Sequence, residues 1–344
     1  MTKMMKNKKK YLIIKAGMAA AAVGLCIAGC IFVHAYSNGL SSREKITKNI
    51  QELSAEENTL QEKIQGLNGK IEKLSEEKSL QEQEKEQADM EKEEKEPENY
   101  GEGQEAFPDL TGALTEAIQS GTERGEKWGV AVKECTNGNM TIVNEQKMIA
   151  ASLIKLYIMG AVYESYDNLC QKNGQEYIDQ LLASMITVSD NEAANCLVRL
   201  LGQGDEEAGK QAVNVFCITN NYTSSNMGRM LLETGTDREN YTSPQDCVKF
   251  LWDIYQGVFP HFQDMLELLK AQERTGKIPA GIPDSVETAN KTGELENVEN
   301  DAAIVWAGEH PYIVCIMSSE LQNTSEARDR IVSMSEQIYE KSQG

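Results

Sequence analysis

Ser152-Leu-Ile-Lys155, Ser189-Asp-Asn191 and Lys291-Thr-Gly293 stand in that order along the second half of the chain. Between them they offer a hydroxyl with an amine three residues away, a hydroxyl paired with an amide, and a cation followed by a residue without a side chain. Such a set suits acyl transfer at a strained or peptide-like amide whose substrate carries a carboxylate. Each word is weak alone. The first pattern also occurs at Ser42 and Lys45 and at Ser75 and Lys78, among charged neighbours that make catalysis implausible. The other two words occur once each.

Residues three apart share one face of a helix, so Ser152 and Lys155 are placed to meet. Their surroundings are apolar (Leu153, Ile154, Leu156, Tyr157, Ile158, Met159), and Lys155 is the only charge until Glu164. A lysine amine titrates near about 10.4 in water, and desolvation lowers that value, so a buried Lys155 could take the proton of Ser152. The pair by itself fits equally a serine that starts a helix and a lysine that snorkels to water. Ser189-Asp-Asn191 suits an ordinary helix cap as well as a proton relay through Ser189 with the Asn191 amide holding a substrate amide. Lys291 suits a plain strand-end lysine, or with Thr292 a carboxylate site, with Gly293 letting substrate approach the backbone. The backbone N–H groups of Ser152 and Glu294 are the candidate oxyanion donors.

These words need elements to hold them. A first helix is expected over 110–118, closing near Gly121. Strands are expected over 129–132 and 140–143, joined by the turn Thr136-Asn-Gly138. An apolar helix over 151–163 follows, and residues 175–270 read as mostly helical, with loops around 202–209 and 220–241. Strand patterns return over 287–291, 302–307 and 312–317, and a closing helix over 325–341. Strands at both ends with helices between predict an α+β fold, an antiparallel sheet flanked by helices with an inserted all-α lobe. A cleft between the two would hold the site.

At this point the chain resembles the serine β-lactamases of class A and the related penicillin-binding proteins, over roughly 107–343. Besides the three words, the likeness includes Met185-Ile-Thr-Val-Ser-Asp-Asn-Glu-Ala-Ala-Asn195 and Tyr241-Thr-Ser-Pro244 before a helix. It implies that Ser152 is the acylated nucleophile, that Lys155 and Ser189 transfer protons, and that Asn191, Lys291 and Thr292 contact substrate. The implied fold is the β-lactamase/transpeptidase-like sheet with a helical lobe. Two departures stand out. The interval from Ser152 to Ser189 lacks the extra hairpin of class A enzymes. Their deacylating Glu, in an E-x-x-x-N loop, also has no counterpart when counted back from Pro244. Glu233 is the nearest substitute and reads as a surface carboxylate, so the chain is equipped for acylation but not evidently for deacylation.

The remainder of the 344 residues is expected to carry this domain, 107–344, outside a membrane. Lys3, Lys6, Lys8, Lys9 and Lys10 precede an apolar run over 16–33, long enough at about 1.5 Å per residue to cross the hydrocarbon layer. The lysines before it predict an inside N-terminus, with residues 1–37 as a retained single-pass anchor. A signal peptide cleaved after Ala35 and lipidation at Cys30 are the competing outcomes. Ile46, Ile50, Leu53, Leu60, Ile64, Leu67, Ile71 and Leu74 make a heptad seam, so 41–97 is expected as a coiled-coil stalk able to pair two copies, with 98–106 a linker. The formal charge of -20 disfavours nucleic acid. Three histidines, two beside prolines, assemble neither a Ser-His-Asp triad nor a zinc site, so no metal or cofactor is expected. Eight scattered cysteines give no reason to assert a disulfide.

The expectation is a membrane-anchored serine hydrolase similar to class A β-lactamases, with Ser152 acylated by β-lactams. Two other readings share these residues: a penicillin-binding-protein-like DD-peptidase acting on peptidoglycan stem peptides, and a non-catalytic module that binds or senses the cell wall.

Overall fold

Alternation along the long strands builds two cores on opposite sides of one sheet. In β1 (Lys127–Glu134), Trp128, Val130 and Val132 enter one core while Ala131 enters the other. In β7 (Tyr312–Ser319), Val314 and Ile316 face the first, and Ile313, Cys315 and Met317 the second. This is the period-two signature of a strand covered on both faces. The computed structural model describes residues 107–343, all within the unit Gln104–Gly344. The sheet is completed by β2 (Met140–Val143), β5 (Thr288–Leu295) and β6 (Val298–Val305), in the antiparallel order β2-β1-β7-β6-β5.

Helices α1 (Thr111–Glu123) and α9 (Thr324–Ser342) close the first core through Leu114, Ile118, Ile331, Met334 and Ile338. The second core is the helical lobe. At its centre runs α2 (Ile154–Glu164), buried at every position from Ile154 to Tyr163, as expected for a helix that is apolar all round. Around it lie α3 (Tyr166–Asn173), α4 (Gln175–Thr187), α5 (Asn191–Leu201), α6 (Glu206–Thr219), α7 (Pro244–Tyr255) and α8 (Phe262–Lys270). Gly160 lets α6 close on α2, since a Cβ there would meet the Phe216 ring at 2.2 Å. Asp190, Asp205, Ser243 and Asn323 cap α5, α6, α7 and α9 by accepting backbone N–H bonds.

Several boundaries differ from the sequence expectation. Gly209 lies inside α6 rather than in a loop, and its missing side chain admits the Val198 carbonyl. Two-residue strands β3 (Met148–Ile149) and β4 (Tyr241–Thr242) pair beside the site. β6 begins at Val298, so Glu299, Asn300 and Asp301 are fully buried in a strand. Their polar atoms are satisfied from distant segments. Lys277 and Arg328 flank Glu299 at 2.9 and 2.7 Å, Ser318 N donates to Asn300, and Ile278 N donates to Asp301. Lys291 and Gly293 likewise sit within β5, which runs on to Leu295, rather than at a strand end. The basic start, the apolar run, the heptad stalk and the linker lie outside the described residues. Among those described, no helix is long and apolar enough to cross a membrane, and the six cysteines are free thiols.

Candidate active site

The turn carrying Ser152 is a 3-10 helix, Ala151–Leu153, not the first turn of the α-helix the sequence suggested. Its entry is strained, with Ala151 at φ 48. Ala150 N donates to Asn240 O at 2.8 Å, and Asn300 Nδ2 on β6 donates to the carbonyls of Ile149 and Ala150 at 2.9 and 3.2 Å. The backbone leading into the nucleophile turn is thereby tied to β6 of the sheet. Strained backbone that the surroundings hold in place is common where side chains must be aimed.

Lys155 follows one turn later and is wholly buried. Its Nζ meets Ser189 O at 2.7 Å, Asn191 Oδ1 at 2.7 Å, Ser152 Oγ at 3.1 Å and Ser189 Oγ at 3.1 Å. A carbonyl and an amide oxygen can only accept, so they take the two N–H groups of a neutral amine. The lone pair is then left to the two hydroxyls. Burial pushes the Lys155 amine down to about 7, against the opposing pull of Asp190. With Asn191 Oδ1 turned to Lys155, Nδ2 is the atom that side chain has left to donate.

Ser189 sits at φ 63, just before the Asp190 cap of α5. Its Oγ is shared between two amines, for Lys291 Nζ donates to it at 2.9 Å and to Thr292 O at 2.9 Å. Lys291 is also fully buried, and desolvation together with the nearby Lys155 holds its amine well below the ordinary lysine range. Gly293 lies against the nucleophile turn. A Cβ there would stand 2.8 Å from Ala150 O and 3.2 Å from Ser152 N. The structure thus brings Ser152, Lys155, Ser189, Asn191, Lys291, Thr292 and Gly293 to one place, with the N–H of Ser152 and of Glu294 on the two segments that touch.

Three contributors escape sequence reasoning. Asn300 anchors the nucleophile turn, and Arg274 is close enough to act electrostatically on both buried amines. Asn195, one helical turn beyond Asn191 on α5, grips the loop of residues 220–240. Its Oδ1 accepts from Leu231 N and its Nδ2 donates to Leu231 O, both at 2.9 Å. Its signals were the spacing of four from Asn191 and its place at the end of the Met185–Asn195 likeness, neither of which named its partner. Two of the loop's acidic side chains are used within the loop. Glu233 Oε2 accepts from Met230 N at 3.0 Å, and Glu239 pairs with Arg229 at 2.8 Å. Asn195→Ala would strand both buried backbone groups of Leu231, at a cost of about 1–3 kcal/mol. Thermal unfolding should register this as a lowered Tm, and an unchanged Tm would refute the grip.

Over residues 168–342 the chain matches the sequence profile described as the beta-lactamase enzyme family. That match begins after Ser152 and Lys155. Comparison with curated proteins gave no match. Among solved structures, the chain is similar to a beta-lactamase from Sphaerobacter thermophilus DSM 20745, at 19% identity over 69% of this chain and 98% of that one, with a TM-score of 0.60. It is similar to a PBP-A variant solved as an acyl-enzyme complex with penicillin G, at 21% identity over 69% and 98% of the two chains, TM-score 0.58. An ancestral class A beta-lactamase gives 22% identity over 67% and 99%, TM-score 0.58. At these identities the likeness carries the fold: an α+β, beta-lactamase-like antiparallel sheet flanked by helices.

Proposed function

The chain belongs to the beta-lactamase enzyme family, and from that we propose that it is a serine acyl-transfer enzyme whose Ser152 opens β-lactams and D-alanyl stem peptides. Neutral Lys155 takes the Ser152 proton as Oγ adds to the carbonyl carbon. The N–H groups of Ser152 and Glu294 receive the oxyanion, where each donor is worth about 2.7–4 kcal/mol. Ser189, hydrogen-bonded to both lysine amines, passes a proton to the departing nitrogen, and the ester to Ser152 forms as the C–N bond breaks. Asn191 Nδ2 meets the substrate amide, and Lys291 with Thr292 meets a carboxylate or its equivalent.

The observation that carries this reading is the buried Lys155 amine, 3.1 Å from the Ser152 hydroxyl and 2.7 Å from two oxygens that can only accept, Ser189 O and Asn191 Oδ1. Hydrolysis of the ester is the slow step in this proposal, because Leu231 occupies the loop position that Asn195 holds and the nearby carboxylates are bound elsewhere. That favours a penicillin-binding peptidase over a fast β-lactamase. Tethering of the domain outside a membrane by residues 16–33 belongs to the same proposal.

Intact-mass measurement over time with benzylpenicillin tests it. An adduct that forms and persists is expected. Rapid loss of the adduct with substrate turnover would instead mark an efficient β-lactamase. No adduct on folded protein would mark a non-catalytic cell-wall module and sink the proposal. The reaction also has a predicted pH profile. Above about 7 the Lys155 amine is neutral and has a lone pair; below it the amine is protonated and cannot act as base. The acylation rate should therefore fall about tenfold per pH unit on the acid side and level off on the alkaline side. Timed labelling with fluorescent penicillin reads this, and a flat profile would remove Lys155 as the base.

A further inference from the structure

The residue after Gly293 is acidic, and its side chain is not idle. Glu294 Oε2 lies 3.1 Å from Arg274 Nη1, and its Oε1 lies 3.1 Å from Lys277 Nζ. Lys277 is buried and already paired with Glu299 at 2.9 Å, so its position is set from behind. Arg274 is held by its backbone between two parts of the site. Asn290 Nδ2, next to Lys291, donates to Arg274 O at 3.2 Å, while Glu273 N donates to Thr187 O at 2.9 Å, two residues before Ser189. The Arg274 side chain is 51% exposed and Glu294 30%. The guanidinium also acts on the buried amines, disfavouring protonation of both Lys155 and Lys291. An arginine between the Ser189 turn and the Lys291 strand is a ready fork for a carboxylate.

We propose that Glu294 is a specificity-determining residue: its carboxylate fills Arg274 in place of a substrate carboxylate, so the cleft takes peptides ending in an amide nearly as well as those ending in an acid. This rests on the acyl-transfer reading for its biological meaning, but concerns ligand binding alone. The substrate class it names is a D-alanyl peptide whose far end is amide-linked, with a free terminal carboxylate tolerated rather than required. The exposed pair is a modest interaction, so its release has a modest, measurable effect.

The test uses the full chain carrying Ser152→Ala, with N-acetyl-D-alanyl-D-alanine and its C-terminal amide titrated by calorimetry. Acid and amide should bind within about twofold of one another. Adding Glu294→Gln should raise the preference for the acid about fivefold, and Glu294→Ser should do the same with no side-chain amide present. Adding Arg274→Gln to either should abolish the gain. An unchanged acid-to-amide ratio, a gain that survives without Arg274, or no binding of either peptide would overturn the proposal. A missing penicillin adduct on the chain with Ser152 intact would sink the acyl-transfer reading while leaving this ratio readable.

Discussion

Ser152→Ala should leave a folded protein that forms no penicillin adduct. Removing a serine nucleophile from a working acyl-transfer set costs on the order of 10⁶-fold in rate, because the remaining groups have nothing to activate. Here Lys155, Ser189 and Lys291 stay in place, since each is held by contacts that do not involve Ser152. The lost hydroxyl makes one bond, to Lys155 at 3.1 Å, and sits in a turn fixed by backbone and by Asn300. The Tm should therefore be equal to the parent's or slightly higher. Intact mass and thermal unfolding together decide: an adduct retained on folded Ser152→Ala would show that another group is acylated.

Leu231→Glu should turn a lasting adduct into a transient one, with deacylation accelerated by about 10²- to 10⁴-fold, the span of a well-placed general base. Asn191 and Asn195 lie on the same face of α5 one turn apart. One touches Lys155 and the other holds the backbone of Leu231 by both its N–H and its C=O. Residue 231 is thus clamped by the side chain that stands one helical pitch, roughly 5.4 Å, along α5 from the amide that contacts Lys155. Leu231 is buried, so the charge costs some stability. Leu231→Gln carries the polarity and shape without the base, and should leave the adduct long-lived. Decay of the adduct by mass, alongside turnover of a chromogenic cephalosporin, gives the answer. A folded Leu231→Glu protein whose adduct persists would show that this loop position does not face the ester.

The parts of this architecture legible in the sequence are those whose signal is local. β1, β2 and β7 announce themselves by apolar runs and by the turn at Thr136-Asn-Gly138, and α2 by an apolar stretch broken only by Lys155 before Glu164. The three words could be read because their residue types are chemically demanding and their order is informative. What escaped depends on partners far along the chain. Glu299-Asn300-Asp301 reads as loop until Lys277, Arg328, Ser318 and Ile278 are brought to it, after which it is buried strand. Asn195 looks like one more polar position on an amphipathic helix until Leu231 arrives, 36 residues later, to be gripped. Arg274 carries no pattern at all. Its place follows from Thr187 and Asn290 pinning its neighbourhood. The strain at Ala151 and Ser189 was equally invisible, since neither residue type favours a positive φ.

β7 pairs on one side with β1 along its whole length and on the other with β6, which in turn carries β5. A nascent polypeptide emerging from a ribosome or translocon cannot finish this sheet until its last strand is through. Ser152 and Lys155 emerge early, but the scaffold that brings Lys291 to Ser189 waits for the C-terminal end. Such distant pairings are slow to find. On the proposed acyl-transfer reading, the newborn chain gains that chemistry only once β7 has joined the sheet.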